Sequence, residues 1–212
     1  MTKRILKRWR MGQENGCIVP LLTVVFKIFK CVSPLTIVAR LVRLFHKSWE
    51  PSPVAVDIYV LIWCFFLIFL ACLVATIQSF SLVALTVISA ILVWRLLDIS
   101  QSWFNIFLRR KVEVVAPVRS LVLAVINYLE LWLIFGLLSF LFRYGNFYPP
   151  FETITQSLRH SIGVITTMGS GFDPASVGGA LLYYFEIAFG LGFLIVIISR
   201  VLSLFRDDRL GN

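Results

Sequence analysis

From Ile58 to Trp94 the chain carries no charged residue. A helix needs about 20 predominantly apolar residues to cross the hydrocarbon core of a bilayer, so this stretch holds two spans, with Gln78-Ser79-Phe80-Ser81 as the polar break between them. The pattern predicts spans over Val56–Ile77 and Leu82–Trp103, and two later apolar runs predict a third over Val115–Phe142 and a fourth over Val177–Leu204. Between the last two lie a turn at Gly145–Pro150, a short helix and a polar segment punctuated by glycine, Thr166–Pro174. Thr153-x-x-Gln156 has the form of a capping box that opens the short helix, which closes near Thr166. At roughly 14 residues and about 1.5 Å per residue, that helix cannot cross a bilayer, so it is predicted to be re-entrant.

Composition agrees with the pattern. Of the 212 residues, 59% are hydrophobic and the mean hydropathy is +0.89, far beyond an ordinary soluble domain. The expected fold class is an all-α membrane protein of four transmembrane helices plus the re-entrant element. The first part of the chain differs. Over 18–46, Lys27, Lys30, Arg40 and Arg43 recur at helical spacing among apolar residues, and Pro20 and Pro34 divide the stretch into short helices. These are expected to lie in the membrane interface against anionic lipid. Arg40-x-x-Arg43 is too sparse for a voltage sensor, whose charges should be in register along a span. Four regions follow: a basic amphipathic region (1–53), a two-helix transmembrane unit (54–111), a region with the last two spans (112–206) and a short tail (207–212).

The net charge of +9 invites a nucleic-acid reading, but the placement of the charge argues against it. Half of the twenty Lys and Arg lie between Lys3 and Lys47. Arg109, Arg110, Lys111 and Arg119 form a second group, and Arg200, Arg206 and Arg209 a third. Only Arg95, Arg143 and Arg159 fall outside these clusters. Clusters before the first span, between the second and third and at the end of the fourth all fall on one side of the membrane, the positive-inside pattern, which implies a multi-pass plasma-membrane protein, of a bacterial inner membrane, with both termini cytoplasmic and no nucleic-acid partner. Pro20, Lys27 and Lys30 interrupt the first apolar run, so no cleavable signal peptide is expected. Cys17, Cys31, Cys64 and Cys72 have no metal or redox spacing and read as small buried side chains. Arg95 and Asp98, three apart, are expected to pair within the second span.

The chemistry concentrates in Thr166-Thr167-Met168-Gly169-Ser170-Gly171-Phe172-Asp173. Irregular backbone at membrane depth must be enclosed by protein or line a watery cavity. Glycine takes positive φ at little cost, so carbonyls that would alternate can point one way, and a row of carbonyls can replace the hydration shell of a cation. An enzyme is not expected. His46 and His160 stand in different regions with no paired nucleophile, Gly169-Ser170-Gly171 lacks the flanks of a nucleophile elbow, and no phosphate loop appears. No cofactor is expected.

Span, short helix, glycine segment and span, with Ser161 to Gly171 at the centre, resemble the pore helix and filter of the potassium-channel superfamily. That family's filter reads Thr-Val-Gly-Tyr-Gly-Asp. Thr167, Gly169 and Gly171 match; Met168 replaces the valine, Ser170 the aromatic residue, and Phe172 stands where the aspartate falls, with Asp173 one place later. The resemblance covers about Val115–Phe205 and implies a homotetrameric pore, with K+ or Na+ held by Thr167, Met168, Gly169 and Ser170 and the filter completed by Gly171. It implies weak discrimination among monovalent cations, since serine cannot fill the volume of the missing ring, although Phe172 offers packing nearby. It also makes Gly190, with Gly192, a gating hinge, for which close helix packing is the competing explanation. Glu130, Arg159, His160, Asp173 and Glu186 fall at similar depth, and Arg159 or His160 is expected to bond Asp173 or Glu186 as filter support. No gating domain is expected after Arg206, which leaves the stimulus to the N-terminal region, the membrane or another protein. The alternatives are a non-conducting membrane interaction module and an ion-translocating transporter subunit.

Overall fold

The computed structural model describes residues 53–77, 80–108 and 117–210. The interfacial helices expected over 18–46, the Gln78-Ser79 turn and the basic Arg109-Arg110-Lys111 connection lie outside the described residues. By compactness the chain forms two units, one of residues 51–96 and 110–212, the other of 1–50 and 97–109.

Among the described residues five helices follow one another: α1 (Pro53–Thr76), α2 (Leu82–Leu108), α3 (Pro117–Leu141), α4 (Ile154–Ile165) and α5 (Val177–Leu210). Between them, β1 (Phe147–Tyr148) and β2 (Asp173–Pro174) form a two-residue antiparallel ladder that pairs Phe147 with Pro174 and Tyr148 with Asp173. Four helices are long and apolar enough to cross a membrane, over Val54–Thr76, Leu82–Gln101, Val118–Leu141 and Val177–Ser199. The chain is a mostly helical, multi-pass membrane protein. Prolines open α1 and α3, where the missing N–H would have had no helical partner. Two helices extend beyond their expected spans. α2 continues past Trp103 to Leu108 and α5 past Leu204 to Leu210, and neither extension contains glycine or proline. The expected tail is therefore largely helix.

α3 is the hub. Half of its spanning window is buried, against 22% for each of the other three spans, and it packs on α1, α4 and α5. From Leu133 to Leu141 every residue is buried, the mark of a helix enclosed on all sides. α1 presents the i, i+3, i+4, i+7 stripe Leu67, Leu70, Ala71 and Val74 as its buried face. Phe65 and Phe69, on other faces, are exposed and available to lipid.

Two ion pairs fix this framework. Arg95 of α2 places both Nε and Nη2 on Glu130 Oε2 of α3, at 2.8 and 2.5 Å, with the side chains 2% and 0% exposed. Its guanidinium also lies 5.2 Å from the Tyr59 ring and 5.3 Å from the Trp63 ring of α1, so one cation ties three helices together. The expectation of a pair with Asp98 missed this partner, and it removes Glu130 from the group expected around His160. Arg prefers a planar carboxylate that takes two donors at once, and Glu130 supplies it in a setting where an isolated charge would be costly. Near the starts of α1 and α3, Arg119 grips both oxygens of Asp57 through Nε, with Nη2 at 2.7 Å from Oδ1. The first turns of α1 and α3 therefore lie at the same end of the bundle, as alternate crossings require.

Glu130→Gln should cost on the order of 3–5 kcal/mol, because it removes the carboxylate charge from a buried ion pair. Arg119→Gln, at a pair about one-third exposed, should cost clearly less. Unfolding of each variant in detergent checks the ranking, and equal losses would contradict it.

Candidate functional site

The site is built on α4, twelve residues long. Its start follows the expected capping box: the Thr153 hydroxyl accepts from Gln156 N while the Gln156 side chain accepts from Thr153 N. Ile154, Ser157, His160, Ser161, Val164 and Ile165 form its buried face, and Thr155, Arg159 and Ile162 are exposed. The buried hydroxyls lie four residues apart and both reach α3. Ser157 Oγ donates to Gly136 O at 2.6 Å, and Ser161 Oγ lies 3.0 Å from Trp132 O. Trp132 Nε1 returns a bond to Leu158 O at 2.8 Å. Gly136 is needed for this approach, since a Cβ there would stand 2.6 Å from the Leu158 side chain. On the other flank Glu186 of α5, 0% exposed, hydrogen-bonds Ser161, while its second carboxyl oxygen has no partner among the described residues. Gly190 marks the contact between α5 and the end of α4: a Cβ there would be 2.8 Å from Ile165 O. α5 runs unbroken through Gly190 and Gly192.

Past Ile165 the chain doubles back on the helix it has just left. Thr166 N bonds Ile162 O, Thr167 N bonds Val164 O, and Gly169 N bonds Gly163 O at 3.1 Å. Gly163 must be glycine, because a Cβ there would lie 2.2 Å from Gly169 O. Thr167 has φ 60° and Gly169 φ 83°. Of the two glycines expected at positive φ, Gly169 takes it and Gly171 does not; Thr167 shares the conformation instead. Thr167, Met168, Gly169 and Gly171 are exposed, Met168 to 85%, and Ser170 is half-buried.

Ser170 is held from behind. Its hydroxyl donates to Phe172 O at 3.2 Å and lies 2.6 Å from His160 Nδ1. Around the His160 ring stand Phe147 at 5.3 Å, Phe151 at 5.2 Å, Phe172 at 6.1 Å and Tyr183 at 6.2 Å between centroids. Burial lowers the His160 pKa to about 4, against the upward pull of the nearby Asp173 charge, so the ring is neutral near pH 7. An open cavity of about 370 Å³ borders the loop, lined by Gln156, Arg159, His160 and Gly169 to Phe172.

The far end of the loop is clamped through Asn146. Its carbonyl accepts from Ala175 N at 2.8 Å, its Oδ1 accepts from Ser176 Oγ at 2.5 Å, and its Nδ2 donates to Phe142 O at 2.8 Å. Ser176 in turn caps α5 by accepting from Gly179 N. Together with the β1–β2 ladder, this joins both ends of the 147–174 segment.

The structure thus brings His160 to the loop and Glu186 to α4, but pairs them differently from expectation. His160 bonds Ser170 and Glu186 bonds Ser161, whereas Arg159 and Asp173 are exposed and make no ion pair with each other. The reason is helical phase: Arg159 lies on the outer face of α4 and His160, one residue on, faces inward. Sequence reasoning missed Ser157, Ser161, Asn146 and the Phe147–Phe151–Tyr183 enclosure. The i, i+4 serines on an otherwise apolar face were the available signal; the enclosure needs three separate elements to meet and left none. No known protein family, curated protein or solved structure matches the chain.

Gly163→Ala should displace Gly169, costing about 1–3 kcal/mol for the overpacking and speeding amide exchange at Gly169. Gly171→Ala, with nothing within 4 Å of the added carbon, should do neither. Hydrogen exchange on both variants checks this, and a protected Gly169 in Gly163→Ala would contradict the packing described.

Proposed function

We propose that the chain is the pore-forming subunit of a homotetrameric, potassium-channel-like cation channel that conducts K+ and Na+ with relaxed selectivity. The observation that supports this reading most is the loop after α4. An exposed backbone segment, bonded to a helix too short to cross a membrane, stands between two spans and carries positive φ at alternate positions, Thr167 and Gly169. Alternation of backbone handedness lets successive carbonyls share one side, and carbonyls so arranged can replace water around a metal ion.

In this reading α4 is the re-entrant pore helix and residues 167–171 are the filter. The carbonyls of Thr167, Met168, Gly169 and Ser170, with the Thr167 hydroxyl, take the place of the ion's hydration shell. One copy provides one wall. Met168, apolar and 85% exposed in the single chain, belongs to a segment that three further copies would enclose. The C-terminal end of α4 carries the partial negative charge of a helix terminus and favours a cation near it. Gly190 and Gly192 are the positions at which α5 would bend in gating. The plasma membrane of a bacterium is the proposed location, with both termini cytoplasmic.

The purified protein in liposomes should pass both K+ and Na+, with Ba2+ blocking the flux, and bi-ionic reversal potentials should fall well short of the Nernst limit for K+. Native mass spectrometry should give four copies. No cation flux from a folded tetramer would favour the interaction-module reading, and a reversal potential at the K+ limit would overturn relaxed selectivity.

A further inference from the structure

We propose that the basic segment 18–46 docks on the C-terminal part of α2, around Asp98–Gln101, with one of Lys27, Lys30, Arg40 and Arg43 as the cation of Asp98. The occupant is a stretch of this same chain outside the described residues. The docking does not depend on ion conduction.

The two halves of α2 have different surroundings. From Leu82 to Ala90 no residue is buried, as suits a helix that faces lipid. Asp98, Ile99, Ser100 and Gln101 are buried in succession, at 6%, 1%, 5% and 8% exposure. Successive residues of a helix point about 100° apart, so four in a row cover every direction and this turn is enclosed all round. Three of the four are polar, and Asp98 and Ser100 are each engaged by another group. A polar turn at the end of a span is therefore wrapped by protein, where polar side chains find partners, and not by hydrocarbon.

The described helices do not supply that wrapping. α2 shares no extended packing with α1, α3, α4 or α5, and its tie to them is the long side chain of Arg95, one turn earlier, on Glu130. The link 109–116 has eight residues, which must carry the chain from the end of α2 to the start of α3. Residues 97–109 group by compactness with residues 1–50. Topology agrees: two crossings return the chain to the side from which it enters α1, so the end of α2 and the residues before Pro53 share one side of the membrane.

Charge selects the occupant. Arg95, Asp98 and Glu130 are all buried, and they make two carboxylates and one cation. Buried charge must be balanced, so a second cation belongs beside them. Arg119 is held by Asp57, Arg143 by Phe140 O and Tyr144, and Arg159 is exposed on α4. Arg109 follows α2 roughly 16 Å along the axis beyond Asp98, too far for its side chain to return. Segment 18–46 has Lys27, Lys30, Arg40 and Arg43 at helical spacing among apolar residues and no acidic residue at all. Its apolar positions suit the sides of the turn, and one of its cations suits Asp98. The remaining cations are left for anionic lipid.

The test is amide hydrogen exchange over 18–46 in the full chain, in nanodiscs of neutral phosphatidylcholine and in nanodiscs with added anionic lipid. The segment should be protected in both. Asp98→Lys should speed its exchange about tenfold or more in both, since a like charge replaces the buried partner. Adding one of Lys27→Glu, Lys30→Glu, Arg40→Glu or Arg43→Glu to Asp98→Lys should restore the protection. Protection that requires anionic lipid and ignores Asp98→Lys would overturn the docking in favour of a lipid-bound segment, and so would failure of all four second changes to rescue. Should Asp98→Lys fail to fold, a diazirine-bearing amino acid at position 101 of the otherwise native chain decides. Light should join it to residues 18–46, and adducts only to lipid or to another helix would overturn the docking.

Discussion

The glycine loop keeps its shape because α4 is bonded into the bundle by side chains that reach main-chain carbonyls. Ser157 and Trp132 cross between α4 and α3, and Ser161 stands between Trp132 O and the Glu186 carboxyl of α5. In an apolar surround the hydrophobic effect contributes little to helix association, so packing by small residues and interhelical hydrogen bonds takes over. Gly136, Gly163 and Gly190 are the three close approaches that this packing uses, each with a neighbouring atom where a Cβ would need to be. The loop depends on the middle one. Gly169 lies against Gly163, and from that contact follow the reversal after Thr166, the alternate positive φ values and the exposure of residues 167–169.

The remaining helices serve to hold α3, on which α4 rests. Arg95 carries the tie from α2 through Glu130, with Tyr59 and Trp63 of α1 against its guanidinium. Glu130 lies two residues before Trp132, whose indole and carbonyl both serve α4. A change in the position of α2 would therefore reach the loop through a single turn of α3. In the channel reading this gives the first two helices a route to the pore through a buried ion pair.

Much of this was legible in the sequence, and what was legible had a local cause. The spans followed from uninterrupted apolar runs, the start of α4 from a Thr-x-x-Gln signature, and the break at 166–174 from small polar residues. The spans did not reveal where the helices end; α5 continues beyond its span through Asp207 and Asp208 to Leu210. The partners of the buried polar groups were not legible, because each is a choice among groups far apart in the chain. Arg95 bonds Glu130, thirty-five residues away, a partner that spacing along the helix did not suggest. His160 and Arg159 were interchangeable by position and charge, and only the phase of α4 separates them. Phe172 offered packing near the loop from sequence alone, and it does stand against Phe151 at 4.5 Å, but the histidine at the centre of the cluster was read as a charge partner when its neighbour is the Ser170 hydroxyl.

The central claim is that residues near Met168 from several copies surround one path for a cation. Cysteine accessibility tests it most directly. In a background with Cys17, Cys31, Cys64 and Cys72 changed to serine, Met168→Cys should carry current that a positively charged, membrane-impermeant thiol reagent abolishes, and K+ present at high concentration should slow the block. A cysteine at position 168 that reacts fully without any change in current, or that reacts only with lipid-soluble reagents, would contradict the account.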